Sequence, residues 1–324
     1  MKIRPILIVV AVLAGICVVG WCASVFSQTV ESETDQPPCI HELVYESAFG
    51  VSLIEVEVAG SQPLTFLVDT GATQSAFNDT LMAESIGLEA ASSGLARGLG
   101  AGAKPIVITN EAAVSHRGVE LLRTDFAIHD IGPMLMRRSG RSIDGIIGYA
   151  LFNRYVVEFE PLSGRLRLHD PETFSYDGDG WVLPMEIEDK RPTIEARVVV
   201  SGDRVIPVKL MVDTGSSRAL SLLIGSKRRL NPPADTITSS GIGVTGEVAV
   251  QIGRIERLEI STITLSQAET AWVEPYRISA ARNIEDLNGI LGNRFLSMFR
   301  VFFDYNKGQL ILERPRPIRA ILPQ

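Results

Sequence analysis

A repeat constrains this chain more than any other feature of its sequence. A step of 144 residues carries Asp69-Thr70-Gly71 onto Asp213-Thr214-Gly215, and Ile143-Asp144-Gly145-Ile146-Ile147-Gly148 onto Leu287-Asn288-Gly289-Ile290-Leu291-Gly292. The same step lays Phe66, Leu67 and Val68 over Leu210, Met211 and Val212. It also lays Val157, Phe159, Gly164, Leu166, Leu168 and Pro171 over Val301, Phe303, Gly308, Leu310, Leu312 and Pro315. Upstream of the Asp the step shortens to 142, where Val56, Val58 and Gly60 match Val198, Val200 and Gly202. Two extra residues in one hairpin turn account for that change, and turns absorb insertions readily. One Asp-Thr-Gly would mark a turn more often than a site. Two in register within a duplicated chain define a repeated fold unit.

Each unit reads as β. Residues 54–58 alternate apolar and polar side chains, as a half-buried strand does, and 64–68 run apolar up to Asp69. Residues 194–200 and 207–212 do the same before Asp213. Residues 155–159 and 165–168, joined by a polar turn, predict a hairpin, repeated at 300–303 and 309–312. Helix signals are brief: 79–86, and single turns near 150–154 and 293–298. Short strands at regular spacing predict an all-β chain of two homologous barrel lobes, at 44–172 and 181–315. Residues 173–180 join the lobes, and 316–324 form a tail.

The leading residues read as a separate element. Lys2 and Arg4 precede an almost purely apolar stretch at 6–26, the pattern of an export signal. The stretch is also long enough to span a bilayer if it is not cleaved. Either way, the positive charges hold the N-terminus in the cytoplasm and send the rest across. The expectation is a signal peptide or membrane anchor at 1–27, a linker at 28–43, and a periplasmic or extracellular body. Of three cysteines, Cys17 and Cys22 fall in the leader, leaving Cys39 alone, so the body forms no internal disulfide. The net charge of −7 argues against a nucleic-acid surface, which needs a basic patch to offset phosphate charge. Lys227-Arg228-Arg229 is too short for one and reads as a solvated face.

Asp69 and Asp213 each stand at a strand end before Thr-Gly, where a tight turn projects the carboxylate and glycine lets backbone amides approach. Two lobes packed about a pseudo-twofold axis would bring the carboxylates together. Close carboxylates cannot both ionise readily, so they share a proton and titrate as a pair. The charged member can then act as base towards a water while the protonated one polarises a carbonyl.

These paired Asp-Thr-Gly units, each followed by an apolar-apolar-Gly motif, resemble the retropepsin-like aspartic peptidases. The resemblance covers both units and looks closest to the bacterial exported members, with two lobes fused in one chain. It implies Asp69 and Asp213 as a catalytic dyad in an interlobe cleft, acting on a peptide or protein substrate with no cofactor. It implies that Thr70 and Thr214 brace loops that also include Gly71, Ala72, Gly215 and Ser216, with Gly148 and Gly292 packed beside them. Between each Asp and its later glycine motif a flap is expected. Gly98, Gly100 and Gly102 occupy that interval in the first unit, and Gly241, Gly243 and Gly246 in the second. Neither segment holds a Tyr, which favours two flaps, retropepsin-style, over the single Tyr-bearing flap of pepsin-like enzymes.

Other readings are weaker. Gly241 to Gly246 spells G-x-G-x-x-G, but a strand-like run follows where a dinucleotide site needs a helix. His41, His116, His129 and His169 are scattered, with no metal-ligand spacing. Asn78-Asp79-Thr80 is a glycosylation sequon, relevant only in a eukaryotic secretory route. The expected protein is a monomer with intramolecular lobe pairing. The alternatives are a catalytically silent peptide-binding protein that keeps the fold, and pairing of units between chains.

Overall fold

The computed structural model describes residues 39–96, 104–129, 141–225, 228, 230–243, 246–274 and 283–315. The leader at 6–26, the linker up to residue 38, Lys227, Arg229 and the tail lie outside them, as do Gly98, Gly100 and Gly102. Lobe 1 holds β1 (His41–Ala48), β2 (Val51–Val58), β3 (Leu64–Val68), β4 (Ser75–Phe77), β5 (Ala90–Ala96), β6 (Lys104–Thr109), β7 (Ala112–His116), β8 (Val119–Thr124), β9 (Phe126–Ile128), β10 (Gly145–Ile147), β11 (Val156–Glu160) and β12 (Arg165–His169). Lobe 2 holds β13 (Trp181–Pro184), β14 (Glu186–Glu188), β15 (Arg191–Val199), β16 (Ile206–Asp213), β17 (Leu220–Leu223), β18 (Ile237–Gly243), β19 (Gly246–Ile260), β20 (Ile263–Val273), β21 (Leu287–Gly292), β22 (Arg300–Asp304) and β23 (Gln309–Glu313). The expected all-β, two-lobed architecture is the observed one.

Among the described residues three short helices accompany the strands: α1 (Thr80–Ser85), α2 (Tyr149–Arg154) and α3 (Asn293–Leu296). Asp79 caps α1, its Oδ1 accepting the Met82 amide at 3.1 Å and satisfying a donor of the first helical turn. No helix among the described residues is long and apolar enough to cross a membrane.

The duplication shows in the pairing. β2 and β3 form an antiparallel hairpin and β3 runs parallel to β10; β15, β16 and β21 repeat both relations. The parallel pair brings the apolar-apolar-Gly motif alongside the strand that ends in Asp, so the two motifs recur at one spacing. Asp144 Oδ2 accepts the Thr65 amide at 2.8 Å, and its counterpart Asn288 Oδ1 accepts the Lys209 amide at 2.9 Å. These side chains pin the register of the parallel strands, because a slip by one residue would break the bond and reverse every side chain.

β13, β23, β22, β11, β12 and the first half of β1 form one antiparallel sheet with three strands from each lobe. At its centre β11 pairs with β22: Val157 with Phe303, Glu158 with Phe302, Phe159 with Val301. Val157 and Phe159 each face the other's repeat counterpart and Glu158 faces its own, so a pseudo-twofold axis runs through the Glu158–Phe302 pair. Both chains of that pair are fully buried. Glu158 Oε1 accepts Arg167 Nη1 at 2.6 Å and Arg300 Nε at 2.7 Å, and His169 Nε2 lies 2.8 Å from Oε2. Burial alone would raise the Glu158 pKa, but the bonds from His169 and Arg300 and the charges of Arg300 and Arg167 outweigh it and hold it down at about 2.

Each lobe packs its own apolar interior. Phe66, Phe77 and Phe126 are fully buried in lobe 1 and meet edge-on, Phe66 with Phe77 at 5.3 Å and Phe77 with Phe126 at 5.0 Å between ring centres. Asn78, in the sequon, is buried and its Nδ2 donates to the Ile143 carbonyl at 2.9 Å, so the folded chain offers no accessible amide there.

Candidate active site

The two Asp-Thr-Gly loops meet at the seam between the lobes. In lobe 1 the Asp69 amide donates to the Ile147 carbonyl at 2.9 Å, and the Ala72 amide reaches back to the Asp69 carbonyl at 3.3 Å to close a tight turn. The Ser216 amide closes the same turn on the Asp213 carbonyl at 3.2 Å. Within each turn a glycine amide holds one carboxylate oxygen: Gly71 N donates to Asp69 Oδ1 at 2.7 Å, and Gly215 N to Asp213 Oδ1 at 2.9 Å. A bond of this kind fixes the orientation of the carboxylate.

Thr70 and Thr214 tie the loops together. The Thr70 amide donates to Thr214 Oγ1 and the Thr214 amide to Thr70 Oγ1, both at 3.0 Å. The Thr70 hydroxyl donates on to the Val212 carbonyl at 2.8 Å, and the Thr214 hydroxyl to the Val68 carbonyl at 2.9 Å. The four bonds obey the same twofold relation as the sequence repeat.

Each carboxylate lies against the opposite loop. A Cβ added to Gly71 would stand 2.9 Å from Asp213 Cγ, and one added to Gly215 would stand 2.4 Å from Asp69 Cγ. Only glycine leaves room, so the third residue of each tripeptide is set by the other lobe's aspartate. The later glycines are set by the loops themselves. A Cβ on Gly148 would meet the Ala72 carbonyl oxygen at 2.5 Å, and one on Gly292 the Arg218 carbonyl oxygen at 2.3 Å. Beyond them the Tyr149 amide donates to the Ala72 carbonyl at 2.9 Å and the Asn293 amide to the Ser216 carbonyl at 2.7 Å.

The flap candidates fall in part within the structure. β5 and β6 pair antiparallel out to Ala96 opposite Lys104, and β18 and β19 pair out to Gly243 opposite Gly246. Gly241, Gly243 and Gly246 thus belong to an antiparallel hairpin. The strand β19 follows Gly246 directly, which removes the helix that a dinucleotide site needs.

Two residues near the site carry no motif in the sequence. Tyr305, just past β22, stacks on Phe152 with ring centres 5.6 Å apart, and its hydroxyl is buried with no hydrogen-bond partner among the described residues. Its pKa is driven well above the ordinary value, first by burial and then by the negative charge of Asp69, Tyr149 and Asp213. Arg191, buried at the start of β15, donates from Nε to the Gly71 carbonyl at 2.9 Å, so lobe 2 also grips the lobe 1 loop. Sequence periodicity could not reveal either role, because each depends on the packing of the opposite repeat. Among the described residues no group of three or more His, Cys, Asp or Glu is arranged to hold a metal ion.

Comparison with protein families gives two matches to the aspartyl protease family, at residues 54–151 and 196–295, together more than half of the chain. The chain belongs to the aspartyl protease family, in the form of two tandem retropepsin-like units. A comparison with curated proteins finds no match.

Proposed function

We propose that the chain is an aspartic endopeptidase in which Asp69 and Asp213 activate a water for attack on a peptide bond held between the lobes. The observation that carries this reading is reciprocal: each carboxylate abuts the glycine of the other loop, and each is oriented by its own glycine amide. A pair so placed shares one proton. The ionised member takes a proton from the water as its oxygen attacks the carbonyl carbon, and the protonated member donates to the carbonyl oxygen. Collapse of the tetrahedral diol then transfers a proton to the leaving nitrogen, and the C–N bond breaks to give an acid and an amine.

The extended substrate would lie along the seam, with the β5–β6 and β18–β19 hairpins covering it as flaps and pairing with its backbone. The boundaries 44–172 and 181–315 serve as the two catalytic lobes in this reading, acting within one monomer. The apolar leader at 6–26, preceded by Lys2 and Arg4, supports export, with the body periplasmic or extracellular and either freed or anchored.

The test is hydrolysis of a denatured protein and of a peptide library across a wide pH range. Asp69→Asn and Asp213→Asn should each abolish cleavage while circular dichroism and thermal unfolding remain those of a folded protein. Full turnover in either variant overturns the dyad. Peptide binding without turnover in the parent chain would establish instead a silent binding protein on the same fold.

A further inference from the structure

β14 and β15 are joined by a two-residue turn, Asp189-Lys190, in which both residues take the left-handed conformation, at φ 47 and φ 63. Non-glycine residues adopt that region only against steric strain, and surrounding contacts must hold them there. Arg191 donates from Nη1 to the Asp189 carboxylate and to its backbone carbonyl at 3.3 Å, while Asn283 Nδ2 donates to Asp189 Oδ2 at 2.8 Å. The same Arg191 holds the Gly71 carbonyl. The tip of the lobe 2 hairpin is therefore fastened to the lobe 1 loop that carries Asp69.

Fastened there, Lys190 reaches over the Tyr149 ring, its Nζ 5.4 Å from the ring centre, and lines a pocket of about 560 Å³ whose other walls belong to lobe 1. Gln74, Asp125, Tyr149, Asn153 and Arg154 form those walls beside the active-site loop. The polar groups divide unevenly. Gln74 Nε2 donates to Asp125 Oδ2 at 2.6 Å, and the Tyr149 hydroxyl donates to Asn153 Oδ1 at 2.7 Å, so these groups satisfy one another. Arg154 donates from Nε to the Tyr155 hydroxyl at 3.0 Å, a neutral partner. Among the described residues neither Lys190 nor Arg154 has a carboxylate in ion-pair range. A third cation of the lining, Arg123, pairs with Glu120 at 3.1 Å. The pocket thus carries three cations against the one carboxylate of Asp125, an excess of positive charge in which Lys190 and Arg154 are the two not paired to a carboxylate among the described residues.

The counterpart at the other end of the seam differs. The β1–β2 hairpin turns through Phe49-Gly50, also left-handed at φ 52 and φ 78, and approaches the lobe 2 loop beside Ser217. Asn293, the repeat counterpart of Tyr149, donates to the Gly50 carbonyl at 2.9 Å. That tip carries an exposed aromatic ring and no cation.

We propose that the pocket between Lys190 and Arg154 is a subsite for an acidic side chain of the peptide substrate, and that it gives a symmetric cleft a charge direction. This deepens the peptidase reading and rests on it. The chain's net charge of −7 repels acidic peptides in general, so a preference for one must come from a local cationic pocket acting at one position. A carboxylate matches both donors there, and a charge-assisted bond from each secures it.

The experiment uses octapeptides carrying Glu, Gln or Lys at one position at a time, read as kcat/KM with the parent chain and as fluorescence anisotropy with the Asp213→Asn chain. At one position Glu should be favoured over Gln by about tenfold, mainly through KM, with the preference weakening in salt. Lys190→Gln should bring that ratio to about one, Lys190→Arg should keep it, and Lys190→Glu should turn the preference towards Lys. No position favouring Glu, or a preference that survives Lys190→Gln, overturns the subsite. Cleavage without acidic preference defeats the subsite and leaves the peptidase standing. Lys190-dependent binding of the Glu peptide without cleavage does the reverse.

Discussion

The amide of Thr70 and the amide of Thr214 each donate to the other's hydroxyl at 3.0 Å, across a separation of 144 residues. Both side chains are buried, so no water can replace a lost partner. Thr70→Val keeps the shape but strands the Thr214 amide and the Val212 carbonyl. With roughly 1–3 kcal/mol for each of the two orphaned groups, stability should fall by about 2–6 kcal/mol. Thr70→Ser retains both bonds and should lose far less. Urea unfolding of the two variants separates them; a Val variant as stable as the parent would contradict the buried pair.

Gly148→Ala and Gly292→Ala should each damage the loop that the glycine touches. The new methyl would sit 2.5 Å from the Ala72 carbonyl oxygen in one case and 2.3 Å from that of Arg218 in the other. Backbone must move to admit it, at a cost of about 1–3 kcal/mol. Displacement of the loop should also reduce peptide hydrolysis by more than about tenfold, since a small misplacement of reacting groups is costly. Melting temperature and kcat/KM, measured together, test both halves.

Glu158 predicts an acid limit to the fold. Its folded pKa of about 2 lies below the ordinary 4.5, so the unfolded chain takes up a proton that the folded chain refuses. The associated stability is fully present above about 4.5 and is lost as pH falls from there towards about 2. Glu158→Gln should flatten this limb of a stability–pH curve. It should also destabilise the protein at neutral pH by up to about 3 kcal/mol, because Arg167 would keep only Glu42, and Arg300 only the more distant Glu160 and Glu313, as counter-charge. An unchanged acid limb in the variant would count against the assignment.

Tyr305→Phe removes a buried hydroxyl that has no partner among the described residues and keeps the ring on Phe152. The expected result is equal or greater stability, by up to about 1 kcal/mol, since no bond is lost and a desolvation penalty disappears. A clear loss in thermal unfolding would show that the hydroxyl is engaged.

What the sequence disclosed and what it withheld divide along one line. The 144-residue step, the strands beside each Asp and the capped helix after Asp79 depend on neighbours along the chain or on an identical neighbour elsewhere, and the fold follows them. Glu158 reads locally as the polar residue of an alternating strand, yet it is fully buried. Its partner Arg300 comes from the other repeat, where the matching residue in lobe 1 is Val156. Lys190 likewise looks like an ordinary turn residue until Arg191 fastens its hairpin to Gly71. Periodicity reports the environment within a lobe; it is blind to groups that find their partners across the seam.

The Glu158–Phe302 pair makes the two halves non-interchangeable. Where a symmetric assembly of identical subunits crosses its axis, each residue must tolerate its own copy. Two lobe 1 copies meeting about this axis would set a buried Glu158 against a second Glu158, each keeping Arg167 and His169 of its own lobe but losing Arg300, and like charges so opposed repel. Two lobe 2 copies would lack Glu158 and leave Arg300 buried without it. The buried pair therefore favours a lobe 1–lobe 2 match over either like-with-like match at this axis.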